Sequence, residues 1–163
     1  GGSIEFTSQV GGGSQFVIRI PFKIDVEHKN ERVKESASAS IEGLNVLLVE
    51  DNELNMEIAR FIIENEGAKV TYVTNGKEAV DIYKKSPEFF DIILMDIMMP
   101  EMDGLQATQF IRSFDQDIPI VAMTANAFTE DKIKAKKAGM NAHLSKPLDR
   151  DRLIRVVAKL CKK

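Results

Sequence analysis

Residues 91–104 read Asp-Ile-Ile-Leu-Met-Asp-Ile-Met-Met-Pro-Glu-Met-Asp-Gly. The apolar run Ile92 to Met95 ends in a carboxylate, Asp96, and the turn formers Pro100 and Gly104 follow. So short a continuous apolar run, bounded by turn residues, predicts a parallel strand buried on both faces. Asp96 then stands at the carboxyl end of a central strand, the edge where open α/β sheets place their ligands. A carboxylate there is unfavourable unless a cation meets it.

Strand and helix signals alternate on both sides of this run. Val46–Val49 is a short apolar run ending in Glu50-Asp51-Asn52. Leu54, Ile58, Phe61 and Ile62 recur at helical spacing and mark an amphipathic helix that Gly67 stops. Lys69–Val73 reads as a second strand and Asn75-Gly76 as a turn, with a helix through Ala79, Val80, Ile82 and Tyr83 ending before Pro87. After the central run, Leu105, Thr108 and Ile111 predict a helix, with Asp103 as its cap. Ile118–Met123 forms a fourth strand ending at Thr124, and Glu130–Ala138 a helix closed by Gly139. Ala142–Ser145 is a short fifth strand before Lys146-Pro147, and a last helix buries Leu153, Val156, Val157 and Leu160 behind an Asp149 cap. Alternating strands and helices imply right-handed βαβ units and a parallel sheet covered on both faces.

The amino-terminal residues follow another pattern. Ile4, Phe6, Phe16, Ile18 and Ile20 alternate around Gly11-Gly12-Gly13-Ser14, which predicts a β-hairpin over residues 1–22. A phosphate-cradling loop would need a helix after the glycines, and Gln15–Ile20 reads as strand. Residues 23–43 are charged and then Ser/Ala-rich, the composition of a linker. His28 lies within it and reads as a solvated side chain. The boundaries are therefore 1–22 hairpin, 23–43 linker and 44–163 α/β domain.

Composition narrows the function. A formal charge of −3, from 22 basic and 25 acidic residues, gives no sign of a nucleic-acid or membrane partner. The single cysteine, Cys161, excludes an internal disulfide or cysteine-based metal cluster and suits a reducing compartment, the cytoplasm.

Chemistry collects at the strand ends. The first strand leads to Glu50 and Asp51, the third ends at Asp96, the fourth at Thr124, and the fifth leads to Lys146. With strand order 2-1-3-4-5, the first and third strands are neighbours and three carboxylates converge. Oxygen donors without His or Cys suit Mg2+, with Mn2+ as a substitute. A calcium loop from Asp51 fails, because its sixth position is Met56 and its twelfth Ile62. A metal beside one carboxylate, with a hydroxyl and an ammonium opposite, is what phosphoryl transfer to that carboxylate requires. Asp96 would attack, Lys146 would hold an oxygen of the group, and Thr124 would donate a hydrogen bond.

Glu50-Asp51-Asn52, Asp96-Ile97-Met98-Met99-Pro100 with Gly104, Thr124-Ala125 and Lys146-Pro147 closely resemble the receiver domain of two-component response regulators. The resemblance runs from about Asn45 to Lys163. It implies a flavodoxin-like doubly wound (βα)5 fold with phosphorylation at Asp96. It also implies Mg2+ held by Asp51, Asp96 and the Met98 carbonyl, Glu50 acting through water, and phosphoryl contacts from Thr124 and Lys146. Thr124, His143 and Pro147 fall on the switch and output positions. The family carries Tyr or Phe three residues before the lysine, and His143 stands there instead. That departure favours a relay of phosphate over an aromatic switch. Met98 and Asn126 lie where the family tunes dephosphorylation.

Gly2-Ser3-Ile4, the glycine turn, Phe16 and Pro21-Phe22 resemble the last hairpin of a histidine-kinase ATP-binding domain. Together the two resemblances imply the layout of a hybrid sensor histidine kinase whose anchor, if membrane-bound, lies outside this fragment. The expected partners are a kinase phosphoacceptor domain, in cis or in trans, and a histidine phosphotransfer protein. The fragment itself is expected to be a phosphoacceptor and not an enzyme. A Mg2+-dependent phosphohydrolase is the alternative, but the position two after Asp96, where such enzymes carry an acid, is Met98. A phosphorylation-independent interaction module is the other alternative, and the intact acidic set with Lys146 argues against it.

Overall fold

The computed structural model describes residues 2–21, 40–125 and 129–161, with the side chains of 129 and 130 left aside. His28, Asn126 and the linker up to residue 39 lie outside the described residues. The chain divides into two units, residues 1–35 and 36–163.

In the first unit, β1 (Ser3–Gln9) and β2 (Gly13–Arg19) form an antiparallel hairpin. Gly11 and Gly13 adopt positive φ, +79° and +84°, which only glycine enters without strain. The register sets Ile4 opposite Ile18 and Phe6 opposite Phe16, whose rings stack 6.0 Å apart. Ser3, Glu5 and Thr7 alternate with them, and an Arg19–Glu5 ion pair joins the strands. One face is thus apolar and the other polar.

The second unit is a five-stranded parallel sheet. In chain order it holds β3 (Asn45–Val49), α1 (Glu53–Asn65), β4 (Lys69–Val73), α2 (Gly76–Lys85), β5 (Ile92–Asp96), α3 (Gly104–Arg112), β6 (Ile120–Thr124), α4 (Thr129–Ala138), β7 (Ala142–Ser145) and α5 (Arg150–Cys161). A 3-10 turn, Pro87–Phe89, precedes β5. The sheet order is β4-β3-β5-β6-β7, the 2-1-3-4-5 order expected from the sequence. Every residue of β5 and β6 is buried, which explains why both read as unbroken apolar runs.

Period-two alternation divides the core into two layers. Val46, Leu48, Ile92, Leu94, Val121 and Met123 pack against Met56, Ala59 and Ile63 of α1 and Leu153, Ile154 and Val157 of α5. On the other face Leu47, Val49, Ile93, Met95, Ile120 and Ala122 pack against Ala79 and Tyr83 of α2, Ala107 and Ile111 of α3, and Ala135 of α4. Asn52, Asn75 and Asp103 cap α1, α2 and α3 through their side chains, and Asp103 forms a full capping box with Gln106. Asp149 accepts from the Arg152 amide at 2.8 Å and caps α5 as expected.

One sequence boundary needs correction, and one helix shows a face that periodicity did not orient. Ile41, assigned to the linker, is 1% exposed and belongs to the core, so packing starts there and not at residue 44. A lone apolar residue after a polar run carries no periodicity, which is why the boundary fell late. In α1, Leu54 and Phe61 are 68% and 69% exposed and Ile58 is exposed too. Of the four residues that marked the helix, Leu54, Ile58 and Phe61 therefore form an outer stripe, whereas Ile62 packs on the core beside Met56, Ala59 and Ile63.

Candidate phosphoacceptor site

The site is built on the carboxyl ends of β3, β5, β6 and β7. β3 and β5 are hydrogen-bonded neighbours, with Val49 in register with Met95. Glu50 and Asp51, just past β3, therefore lie beside Asp96 at the end of β5. One carboxylate oxygen from each of these three residues lies within 4.8 Å of the others. Glu50 is 1% exposed and Asp96 is buried, whereas Asp51 is exposed, so the cluster opens to solvent on one side.

Lys146 answers the two buried carboxylates. Its side chain is 14% exposed, and its ammonium lies 2.6 Å from Glu50 Oε2 and 2.7 Å from Asp96 Oδ2. Burial works against the charged amine, but the hydrogen bonds to Asp96 and Glu50 outweigh it and hold its pKa above the ordinary lysine value. The β6–β7 pairing brings this lysine in: Thr124 is in register with Ser145, and the Lys146 amide donates to the Thr124 carbonyl at 2.8 Å. The Lys146–Pro147 peptide is cis. Thr124 is buried at the end of β6, on the same edge.

The loop after β5 is held close. The Met98 amide donates to Asp96 Oδ1 at 3.3 Å, while its side chain is 76% exposed. The Ile97 amide donates to Met123 and the Gly104 amide to the Ile97 carbonyl, folding the loop back over the strand end. A Cβ on Gly104 would lie 2.0 Å from the Asp96 carbonyl oxygen, so only glycine permits this approach.

Sequence reasoning missed Asn55. Its Nδ2 donates to Glu50 Oε1 at 3.0 Å, and its backbone amide donates to the Asn52 side chain. It therefore fixes the glutamate from the first turn of α1. The signal in the sequence is an asparagine four residues after an acidic pair at a helix start. Among the described residues, no buried side-chain nitrogen or oxygen lacks a partner.

His143 belongs to different surroundings. It is half-buried in β7, in register with Ala122. Burial first, then the positive charges of Lys132 and Arg152, keep its pKa below the ordinary histidine value. Neither Glu50 nor Asp96 is bonded to it.

A doubly wound sheet with an acidic cluster and a half-buried lysine at its switch point defines a phosphate-handling α/β module. The model of the response regulator receiver domain family matches residues 46–158, and the chain belongs to that family. It is a receiver domain of the two-component phosphorelay type. The aerobic respiration control sensor protein ArcB of Escherichia coli is 38% identical over 162 residues, covering 98% of this chain and 20% of ArcB. The receiver domain of a Pseudomonas aeruginosa sensor histidine kinase is 37% identical, with TM-score 0.68 over 73% of this chain and 98% of that one. That structure has a magnesium ion coordinated in its active site cleft. The co-crystal of the yeast phosphotransfer protein Ypd1 with the Ssk1 receiver matches at 30% identity and TM-score 0.68, over 73% of this chain and 89% of that one. The chain spans only 16–20% of the length of such curated relatives.

Proposed function

We propose that Asp96 accepts a phosphoryl group from a phosphohistidine and passes it to a histidine phosphotransfer protein or to water. The observation that carries this reading is the buried Asp96 carboxylate, 2.7 Å from the Lys146 ammonium and grouped with Glu50 and Asp51. The donor set suits Mg2+: hard oxygens, no His or Cys in the group, and one exposed member through which an ion enters. Asp51, Asp96 and the Met98 carbonyl would hold the ion, with Glu50 acting through water, and Mn2+ would use the same donors. When bound, the ion would neutralise non-bridging phosphoryl oxygens.

The chain's own residues do the rest. One Asp96 oxygen attacks phosphorus as the phosphorus–nitrogen bond to histidine breaks, and an ionised carboxylate has no proton to lose. Lys146 moves from carboxylate to phosphoryl oxygen as a point charge. Thr124 offers its hydroxyl from β6 and couples the new group to the following loop. His143 and Pro147 lie on β7 and just beyond Lys146, where that change would be passed on. The phosphohydrolase alternative lacks an acid, since Met98 occupies the position two after Asp96.

The α1 stripe supports a helical partner. Leu54, Ile58 and Phe61 project from the helix that follows Glu50 and Asp51, and exposed apolar residues at this spacing fit another helix. The match to ArcB across the hairpin as well as the receiver supports origin in a hybrid sensor histidine kinase. On this reading the 1–22 hairpin is the end of its ATP-binding domain, the kinase phosphoacceptor domain is a partner in cis or in trans, and the fragment works in the cytoplasm. Among the described residues no helix is long and apolar enough to cross a membrane.

Incubation with acetyl phosphate and Mg2+, followed by intact-mass spectrometry, tests the proposal. One added phosphoryl group is expected on the native chain and none on Asp96→Asn. No addition to the native chain, or addition that persists in Asp96→Asn, overturns it.

A further inference from the structure

Glu50 is 1% exposed, too deep for bulk water to serve its carboxylate. Among the described residues, two side chains donate to it. Asn55 Nδ2 reaches Oε1 at 3.0 Å, and the Lys146 ammonium reaches Oε1 at 2.9 Å and Oε2 at 2.6 Å. The same ammonium bonds Asp96 Oδ2 at 2.7 Å. An ammonium has three N–H donors, and these three contacts use them all. A phosphoryl oxygen on Asp96 can therefore gain Lys146 only by taking a bond that now holds Glu50 or Asp96.

Asn55 is under no such demand. Its backbone amide donates to the Asn52 side chain at 3.0 Å, which fixes the residue in the first turn of α1. Met56 and Ala59, next along the helix, are packed in the core and hold that turn against the sheet. A carboxylate only accepts, so the NH2 end of the Asn55 amide has to face Glu50. The helix cap uses the backbone of Asn55 and the carboxylate uses its side chain, so a substitution removes the second without touching the first.

We propose that Asn55 is a positioning residue of the phosphoacceptor site, which keeps Glu50 in place when Lys146 turns to the phosphoryl group. The proposal rests on the reading of Asp96 as phosphoacceptor and adds to it a residue outside the acidic set. With Asn55 absent, release of Lys146 would strip a buried carboxylate of both side-chain donors, and a hydrogen bond to a charged acceptor is worth about tenfold or more in an equilibrium constant. Asn55 thus makes the lysine easier to move. Its effect depends on state: losing the amide is mild while Lys146 stays on Glu50 and large once the lysine has left. A side chain that only packed would cost the same in both states.

The test uses beryllofluoride, a tetrahedral anion that stands in for a phosphoryl group on a carboxylate. Its affinity is measured on the full chain at saturating Mg2+ from amide NMR shifts around Asp96. Asn55→Leu and the smaller Asn55→Ala should each weaken it at least about tenfold. A second arm needs neither metal nor phosphoryl analogue: urea unfolding in EDTA compares Asn55→Leu in the native chain and in Lys146→Met. The unfolding constant should rise less than about threefold in the first background and at least about tenfold in the second. Beryllofluoride affinity within about twofold of native in both Asn55 variants, or an equal cost of Asn55→Leu in the two backgrounds, would overturn the proposal. The first arm uses single variants, so it stands even if the double variant does not fold. A native chain that binds no beryllofluoride, or binding that persists in Asp96→Asn, would instead overturn the phosphoacceptor reading and this proposal with it.

Discussion

Replacing Lys146 with methionine tests what holds the acidic edge together. Methionine keeps an unbranched stem and removes the charge. In the native chain one ammonium lies 2.6 Å from Glu50 and 2.7 Å from Asp96. Without it, carboxylate oxygens within 4.8 Å of one another face each other with no cation between them. Unit charges at that distance repel by about 3–4 kcal/mol at an effective dielectric constant of ~20. Breaking a buried ion pair by removing one partner costs about 3–5 kcal/mol. Proton uptake and water entry beside exposed Asp51 relieve part of this, so a loss of about 3 kcal/mol is expected in EDTA at neutral pH. For a domain of about 120 residues that is a fall in Tm of roughly 12 °C.

The assay is thermal unfolding followed by circular dichroism, with exposed Lys159→Met as control. Magnesium should stabilise Lys146→Met more than the native chain, because the ion no longer competes with an ammonium. Saturation at about 100 times Kd returns roughly 2.7 kcal/mol. The alkaline limb gives an independent sign. Lys146 is held above its unfolded value, so its contribution is complete below about pH 10.5 and is lost as pH rises through the folded value. The native chain should lose that contribution there, and the variant has none to lose. A variant melting within about 3 °C of native in EDTA, or equal stabilisation of both proteins by magnesium, would refute the reasoning.

Other perturbations follow from the same structure. Gly104→Ala should shift the β5–α3 loop, cost about 2–3 kcal/mol in urea unfolding, and slow acetyl-phosphate labelling, because its Cβ would meet the Asp96 carbonyl at 2.0 Å. Tyr83→Phe should cost about 1.5 kcal/mol at neutral pH, since Tyr83 donates to Asp115, which keeps the Asp117 and Ile118 amides. Burial, then the Asp115 bond, raises the Tyr83 pKa, so the native phenol contributes stability below about pH 10 that is lost as pH rises, and the variant's profile should be flatter there. Arg112→Met should lower the urea midpoint by about 2–3 kcal/mol equivalent without blocking phosphorylation, because its guanidinium bonds the carbonyls of Asp115, Ile118 and Gly139. Leu54→Glu with Phe61→Glu should leave Tm within about 2 °C yet slow transfer between Asp96 and a phosphotransfer protein at least about tenfold, with acetyl-phosphate labelling unchanged.

The sheet was legible because its physics is one-dimensional. A parallel strand buried on both faces must be apolar throughout, so β5 and β6 announced themselves, and right-handed crossovers fixed what could lie between them. The candidate residues were placed together by the same logic: each follows the end of a strand, and in such a sheet the carboxyl ends of the strands share one edge. Asn55 was harder to see, because an asparagine in a first helical turn usually serves the backbone, and only the fold shows its amide against Glu50. Ile41 had no neighbours in sequence to reveal its burial. The His143 environment was also beyond reach, since the charges that act on it come from α4 and α5.

The outward apolar stripe of α1 is the informative case. Periodicity reports that apolar residues lie on one side of a helix, not which side the protein covers. The core requirement is met by Met56, Ala59 and Ile63 with Ile62 at their side, and the small residue at the middle position lets the helix lie close to the sheet. Leu54, Ile58 and Phe61 carry more apolar surface and leave it in water beside the acidic edge. Stability alone does not account for that allocation, because polar residues there would keep the same packing. A phosphoacceptor must bring a foreign side chain to Asp96, and a sticky helix next to that carboxylate supplies the contact without occupying the opening at Asp51. The apolar surface that packing leaves uncovered is thus the one that the proposed phosphotransfer would use.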